Sequence, residues 1–112
     1  MGLIDSWKIA CGRDDLVANS GVVSLVDGVQ VALFYLPEDE QLFAVENRDP
    51  LSGANVIGRG IVGHLAGELV IAAPLYKQHF RLQDGTCLEY PEQVLKVWPA
   101  RLNGDAVEIS LS

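Results

Sequence analysis

The chain has 112 residues and a formal charge of −7, from eight basic and fifteen acidic side chains. This length suits one domain, and 49% hydrophobic with 21% charged residues is the composition of a folded chain, which argues against disorder. The negative charge repels nucleic acid and anionic lipid, so we expect neither as a partner. No signal peptide is recognisable and no apolar run approaches the ~20 residues that span a bilayer, so we expect a cytoplasmic protein.

Short apolar runs separated by turn residues predict an all-β fold. The predicted strands cover residues 7–11, 21–26, 29–36, 42–45, 61–65, 69–72, 80–82, 86–88, 94–98 and 106–109. Asp27-Gly28 and Asn103-Gly104 each separate two such runs, which is typical of hairpin turns. Residues 13–16 predict one helical turn, and no longer helix is indicated. We therefore expect short antiparallel strands in small packed sheets, as a sandwich or partly closed barrel.

Two irregular segments interrupt this pattern. Residues 47–60 read NRDPLSGANVIGRG, and residues 73–79 read APLYKQH. Both are too irregular for a strand or a helix. Long loops inside a small domain are usually functional or held by their own packing, so these two are the places to look for a site.

No residue pattern selects a catalytic or metal site. Ser52 lies in a loop, and His64 or His79 is a possible base for it, but nothing in the spacing pairs them, and turn chemistry explains Ser52. The two cysteines and two histidines lack the close pairs that structural zinc sites need. We therefore expect no catalytic residue and no metal in this chain, with Cys11 and Cys87 free and buried.

Both loops contain a proline in a distinctive context. The first reads Asp49-Pro50-Leu51-Ser52-Gly53-Ala54; the second reads Ala73-Pro74-Leu75-Tyr76 and is followed by Phe80-Arg81-Leu82-Gln83-Asp84-Gly85. These segments resemble the loops of Rieske iron–sulfur domains, which carry C-P-H-x-G-A and C-P-x-H followed by F-x-L-x-x-G. The resemblance implies a Rieske-like fold over residues 1–112 with the two loops at one end. It also implies a cluster-type subdomain, about residues 43–90, inserted in a base β subdomain.

The four cluster-ligand positions of that family hold Asp49, Leu51, Ala73 and Tyr76 here. A Rieske 2Fe–2S centre needs two thiolates on one iron and two imidazoles on the other, so the resemblance implies that the cluster is lost. The alternative, a Rieske-type ferredoxin that transfers electrons, is disfavoured for the same reason. We expect Asp49 to accept backbone N–H groups in a turn and Tyr76 to fill the cluster's space with its hydroxyl at the surface. Leu51 and Ala73 are expected to make that space apolar.

Three longer segments, residues 46–56, 59–63 and 73–80, resemble the small subunits of bacterial assimilatory NAD(P)H-dependent nitrite reductases, with likeness from about residue 7 to 109. The resemblance implies a cofactor-free, non-catalytic subunit. Its partner would be a large subunit with siroheme, a 4Fe–4S cluster and FAD, which reduces nitrite to ammonium with NAD(P)H in nitrate assimilation. With no cluster to enclose, the loops are expected to contact that partner. The candidate interface residues are Arg48, Arg59, Tyr76, Lys77, Gln78 and His79.

Overall fold

A computed structural model describes residues 7–111 and places ten strands there, all pairing antiparallel, in three small sheets. The strands are β1 (Trp7–Gly12), β2 (Ser20–Val26), β3 (Val29–Leu36), β4 (Gln41–Glu46), β5 (Ile61–Leu65), β6 (Glu68–Ala72), β7 (His79–Arg81), β8 (Val97–Trp98), β9 (Ala100–Asn103) and β10 (Ala106–Ser110). Single 3-10 turns cover Arg13–Asp15, Pro37–Asp39 and Ile57–Arg59. The prediction of an all-β fold of short antiparallel strands is confirmed. Within residues 7–111, no helix is long and apolar enough to cross a membrane.

The central sheet has the strand order β2-β3-β4-β8 and lies between the other two sheets, β1-β10-β9 and β5-β6-β7. From Val31 to Leu36, strand β3 is hydrophobic because both of its faces are covered, whereas Val29 and Gln30 at its start are exposed. Its odd-numbered side chains, Val31 and Leu33, pack in one core, with residues 107 and 109 of β10. Its even-numbered side chains, Ala32 and Phe34, pack in the other core, with residues 71 and 80 of β6 and β7. Successive side chains of β3 point to opposite faces of the central sheet, so this one strand packs against both of the other sheets.

Tight turns set the hairpins. Asp27 and Gly28 have φ values of 49° and 81°, as both central residues of a type I′ turn require. The turn predicted at Asn103-Gly104 is shifted by one residue, because Asn103 pairs with Ala106 and the turn itself is residues 104–105. Gly104, with φ of 61°, takes the first central position, where a type II′ turn needs positive φ.

Two predicted strands near the C-terminus are wrong in extent. Of residues 94–98, only Val97–Trp98 form a strand, and Ala100–Asn103, which pairs with β10, was not predicted. Pro99 has no N–H and separates the two segments. Residues 86–88 form only isolated bridges, because Thr86 bonds back to Arg81 while Cys87 donates its N–H to Gln93.

Candidate functional site: two loops joined by a buried hydrogen bond

The first loop (residues 47–60) and the second loop (residues 73–78) lie side by side. The first loop leads into β5 and the second leaves β6, and these strands pair at Ile61 and Ala72, next to both loops. The sheet therefore brings together two segments that are far apart in sequence, at the place where a Rieske fold would hold its cluster.

Asp49 organises the first loop. Its Oδ1 accepts the N–H of Leu51 at 2.9 Å, its N–H donates to Ala54 O at 2.8 Å, and its carbonyl accepts the N–H of Gly53 at 2.8 Å. This is an Asx-type turn, so the prediction that Asp49 accepts a backbone N–H group is confirmed. Asp49 is fully buried, so the carboxylate also needs partners from outside its own turn.

The second loop folds back on itself and turns Gln78 inward. The N–H of Ala73 donates to Gln78 O at 2.9 Å, and the N–H of Lys77 donates to Ala73 O at 3.0 Å. Lys77 has φ of 58°, a left-handed conformation that reverses the chain just before β7. Gln78 is only 1% exposed, like Phe80 two residues further on.

A hydrogen bond between Gln78 and Asp49 joins the two loops. Gln78 Nε2 donates to Asp49 Oδ1 at 2.9 Å, across 29 residues of sequence, and to Gln93 Oε1 at 3.2 Å. The other oxygens of the pair, Asp49 Oδ2 and Gln78 Oε1, are buried without a partner among the described residues. A side-chain hydrogen bond thus connects the segments that a metal cluster connects in a Rieske domain.

This arrangement corrects three expectations. Gln78 was expected as an exposed interface residue, but it is buried because its amide bonds to Asp49. Tyr76 was expected to fill the cluster's space, but it is 61% exposed. Leu51 is 49% exposed, whereas Ala73 is buried as expected. The polar pair, and not Tyr76 or Leu51, lies between the loops.

Asn47 holds the base of the first loop and was not singled out from the sequence. Its Oδ1 accepts the N–H of Gly58 at 2.8 Å, and its Nδ2 donates to Gln30 Oε1 at 2.8 Å. Its carbonyl accepts the N–H of Ile57 at 3.1 Å. One buried amide therefore connects both ends of the first loop to β3.

The exposed charges of the two loops are basic. Arg48, Arg59 and Lys77 are exposed, and none of them has a carboxylate partner within residues 7–111. Of the fifteen acids of the chain, only Asp49 lies in the loops, and it is buried. The loop end of this acidic protein is therefore locally positive.

His79 is held by an acid that the sequence did not indicate. Its Nδ1 lies 2.6 Å from Glu89 Oε2, and its backbone N–H donates to Glu89 Oε1 at 2.8 Å. Burial raises the pKa of Glu89, but the hydrogen bonds from the His79 backbone and ring outweigh it and lower the pKa. The Cys87 thiol also lies 3.6 Å from Glu89 Oε1, and burial raises the pKa of that thiol.

The other candidate groups do not converge. The Ser52 hydroxyl accepts the N–H of Ala54 at 3.1 Å, which is the predicted turn chemistry, and His64 lies in a separate hollow beside Phe43 and Glu68. Cys87 is buried, Cys11 is half-buried, and both thiols are free. Among the described residues, no three His, Cys, Asp or Glu side chains are grouped to hold a metal ion.

The family of the chain follows from comparison with known proteins. The family model of the Rieske-like [2Fe-2S] domain matches residues 6–110. The nitrite reductase (NADH) small subunit of Salmonella typhimurium is 39% identical over 106 residues, which are 95% of this chain and 98% of that protein. This chain belongs to the Rieske-like family of nitrite reductase small subunits.

A solved relative has the same fold. The NMR structure of the NAD(P)H nitrite reductase small subunit of Erwinia carotovora superimposes with a TM-score of 0.80 at 38% identity, covering 97% of this chain and 84% of that one. The ferredoxin of carbazole 1,9a-dioxygenase from Nocardioides aromaticivorans superimposes with a TM-score of 0.79 at 17% identity, which shows a shared fold alone.

The residues present do not fit the cluster that the fold family implies. Leucine and alanine stand at two of the four ligand positions and have no donor atom, while Tyr76 is exposed. Asp49 is committed to its own turn and to Gln78. The loops of this family member therefore hold each other through side chains.

One relative contains the same domain within a longer protein. The nitrite reductase NAD(P)H large subunit of Klebsiella oxytoca is 35% identical over 101 residues, which are 90% of this chain but 10% of that protein. A domain like this one thus occurs in the same polypeptide as a large subunit.

Proposed function

We propose that this chain is the small, non-catalytic subunit of an NAD(P)H-dependent nitrite reductase and binds the large subunit, which reduces nitrite to ammonium. The observation that carries this proposal is the 39% identity to the small subunit of Salmonella typhimurium over 98% of that protein. A second observation that supports it is the Gln78–Asp49 hydrogen bond. It keeps the two loops in one arrangement without a cluster and leaves their outer side chains free to contact a partner. The domain inside the Klebsiella oxytoca large subunit supports the same association, because there a domain like this one and a large subunit are parts of one polypeptide.

The redox chemistry of this enzyme belongs to the partner in our proposal. Siroheme, a 4Fe–4S cluster, FAD and the NAD(P)H site are assigned to the large subunit, and the complex to the cytoplasm. What this chain supplies is a surface. The alternative, a ferredoxin that carries electrons, would need Cys and His at the positions of Asp49, Leu51, Ala73 and Tyr76.

The contact surface that we propose is the outer side of the two loops. Arg48, Arg59, Tyr76 and Lys77 are exposed there, and His79 is half-buried beside them. Arginine and tyrosine are enriched at the energetic centres of protein interfaces. Gln78 leaves this set, because its side chain acts inside the protein.

We also assign the subdomain boundary at about residues 43–90. This range contains both loops and the sheet formed by β5, β6 and β7. Strands β1, β9 and β10 lie outside it. In this assignment β1, β9 and β10, with β2, β3 and β8 of the central sheet, form the base that carries the loop-bearing part, and the boundary falls within β4.

Two measurements test the proposal. The large subunit, expressed alone and together with this chain, is assayed for NAD(P)H-dependent nitrite consumption and for cofactor content per polypeptide. We expect a gain in activity or in cofactor retention when this chain is present. If the large subunit has the same activity and the same cofactor content with and without this chain, the proposal that this chain is a working subunit is contradicted.

The loop surface is tested with a triple alanine variant at Tyr76, Lys77 and His79. We expect at least tenfold weaker binding to the large subunit, with an unchanged circular dichroism spectrum. Binding of the variant at wild-type affinity would show that this loop is not the interface.

A further inference from the structure

A groove of about 350 Å³ lies beside the two loops. Arg59 and Ile61 line it from the first loop and the start of β5, and Pro74, Lys77 and His79 line it from the second loop and the start of β7. Ile61 is 74% exposed, so most of its apolar side chain is open to contact from outside. The groove thus has apolar walls with basic side chains at its margin.

The charge of this groove is opposite to that of the rest of the chain. Of the five bases outside the two loops, three are paired with acids, namely Lys8 with Asp27, Arg81 with Glu68 and Arg101 with Glu108, whereas Arg13 and Lys96 have no acid partner among residues 7–111. Arg59 and Lys77, at the groove, have no such partner within the described range. The acid that faces the groove residues is Glu89, and it is already bonded to His79.

We infer that this groove receives an acidic segment of the large subunit, in which a carboxylate side chain stands next to an apolar one. The carboxylate meets Arg59 and Lys77, and the apolar neighbour covers Ile61 and Pro74. Charge complementarity favours this occupant. The rest of the surface is acidic and repels an acidic partner, whereas the unpaired bases at the groove attract one. This inference rests on the proposed function and specifies the chemistry of the partner.

Cross-linking tests the inference directly, since the sequence has only three lysines: Lys8, Lys77 and Lys96. A zero-length carbodiimide reagent joins a lysine amine to a carboxylate that touches it. In the complex of both subunits we expect Lys77 to be joined to an Asp or Glu of the large subunit, while Lys8 and Lys96 serve as internal controls. Cross-links to the large subunit from Lys8 or Lys96 but not from Lys77 would overturn the inference.

Charge reversal gives a second, independent measurement. The double variant Arg59→Glu/Lys77→Glu is expected to bind the large subunit at least tenfold more weakly, and added salt, which weakens wild-type binding, should no longer weaken it because the contact has become repulsive. Lys96→Glu is the matched control, since Lys96 is exposed and outside the groove, and it should stay within twofold of wild type. Ile61→Ser should weaken binding but leave its salt dependence unchanged.

The outcomes separate the two claims. If the wild-type chain does not bind the large subunit, the proposed function fails and the inference fails with it. If wild type and the double variant bind equally well, the proposed function stands and the groove inference is overturned. Light scattering of this chain alone tests a second copy as the occupant: a dimer that the double variant abolishes would also overturn the inference.

Discussion

Replacing Gln78 by leucine should destabilise the protein more than its position in a loop suggests. The leucine side chain is close to glutamine in size but removes the amide that donates to Asp49 Oδ1 at 2.9 Å and to Gln93 Oε1 at 3.2 Å. Asp49 is fully buried, and its carboxylate would keep only one donor, the backbone N–H of Leu51. The variant therefore leaves a buried carboxylate with one hydrogen bond.

The expected cost follows from these contacts. Removing one partner from a buried polar group costs about 1–3 kcal/mol, and removing it from a buried charge costs about 3–5 kcal/mol. The leucine variant also removes Gln78 Oε1, which is buried without a partner, and this offsets about 1 kcal/mol. We therefore expect a loss of about 2–4 kcal/mol from a total stability of about 5–15 kcal/mol.

Equilibrium urea unfolding at neutral pH measures this loss, with Asp49→Asn as the matched background. Asp49→Asn keeps the shape of the side chain and removes the buried charge, so we expect a change within about 1 kcal/mol. In that background Gln78→Leu should cost at least about 1 kcal/mol less than it does alone. Two results would refute a loop connection made by this pair. One is a Gln78→Leu variant with the same free energy of unfolding as wild type, and the other is an equal loss from Gln78→Leu in the wild-type and Asp49→Asn backgrounds.

Three further predictions concern other parts of the chain. Gly28 and Gly85 both have φ of 81°, but only at Gly85 would an added Cβ collide with backbone atoms. In urea unfolding, Gly85→Ala should therefore lower the free energy of unfolding by more than about 3 kcal/mol and Gly28→Ala by about 1 kcal/mol. Burial raises the pKa of the Cys87 thiol. Iodoacetamide at pH 8 should therefore alkylate this thiol at least tenfold more slowly in the folded protein than in the urea-unfolded protein. Equal alkylation rates would contradict its burial. Hydrogen bonds from the backbone N–H and hydroxyl of Thr86 lower the pKa of Asp84, so its stabilisation is present at neutral pH and lost as the pH falls below that lowered value. Asp84→Asn should thus be less stable than wild type by about 0.5–1 kcal/mol at pH 7 and equal to it near pH 2.

Local patterns predicted the parts of the fold that depend on neighbours in sequence. The hairpin of β2 and β3 and its Asp27-Gly28 turn depend on adjacent residues, and both are found as expected. The Asx turn of Asp49 is also local, because its acceptor and donor are two residues apart. Strand β9 was not predicted, and it follows Pro99, where the chain passes from the central sheet to the sheet of β10.

The connection between the loops depends on contacts that local patterns do not contain. Gln78 and Asp49 are 29 residues apart, and a glutamine in a loop is ordinarily exposed. One signal was present: residues 78, 80 and 82 follow the period of two, and Phe80 and Leu82 are clearly core residues. The same reasoning would not have found Glu89, which reaches His79 from outside the strand pattern.

The most direct test of the account is the association of the purified subunits. Gel filtration with light scattering, at micromolar concentrations of this chain and of the large subunit with its cofactors, measures the mass of any complex. We expect one species that contains both polypeptides. A Gln78→Leu chain, in which the loops are no longer joined, should bind more weakly than wild type. Two separate species at every concentration tested, with no change in the large subunit's elution or mass, would contradict the association.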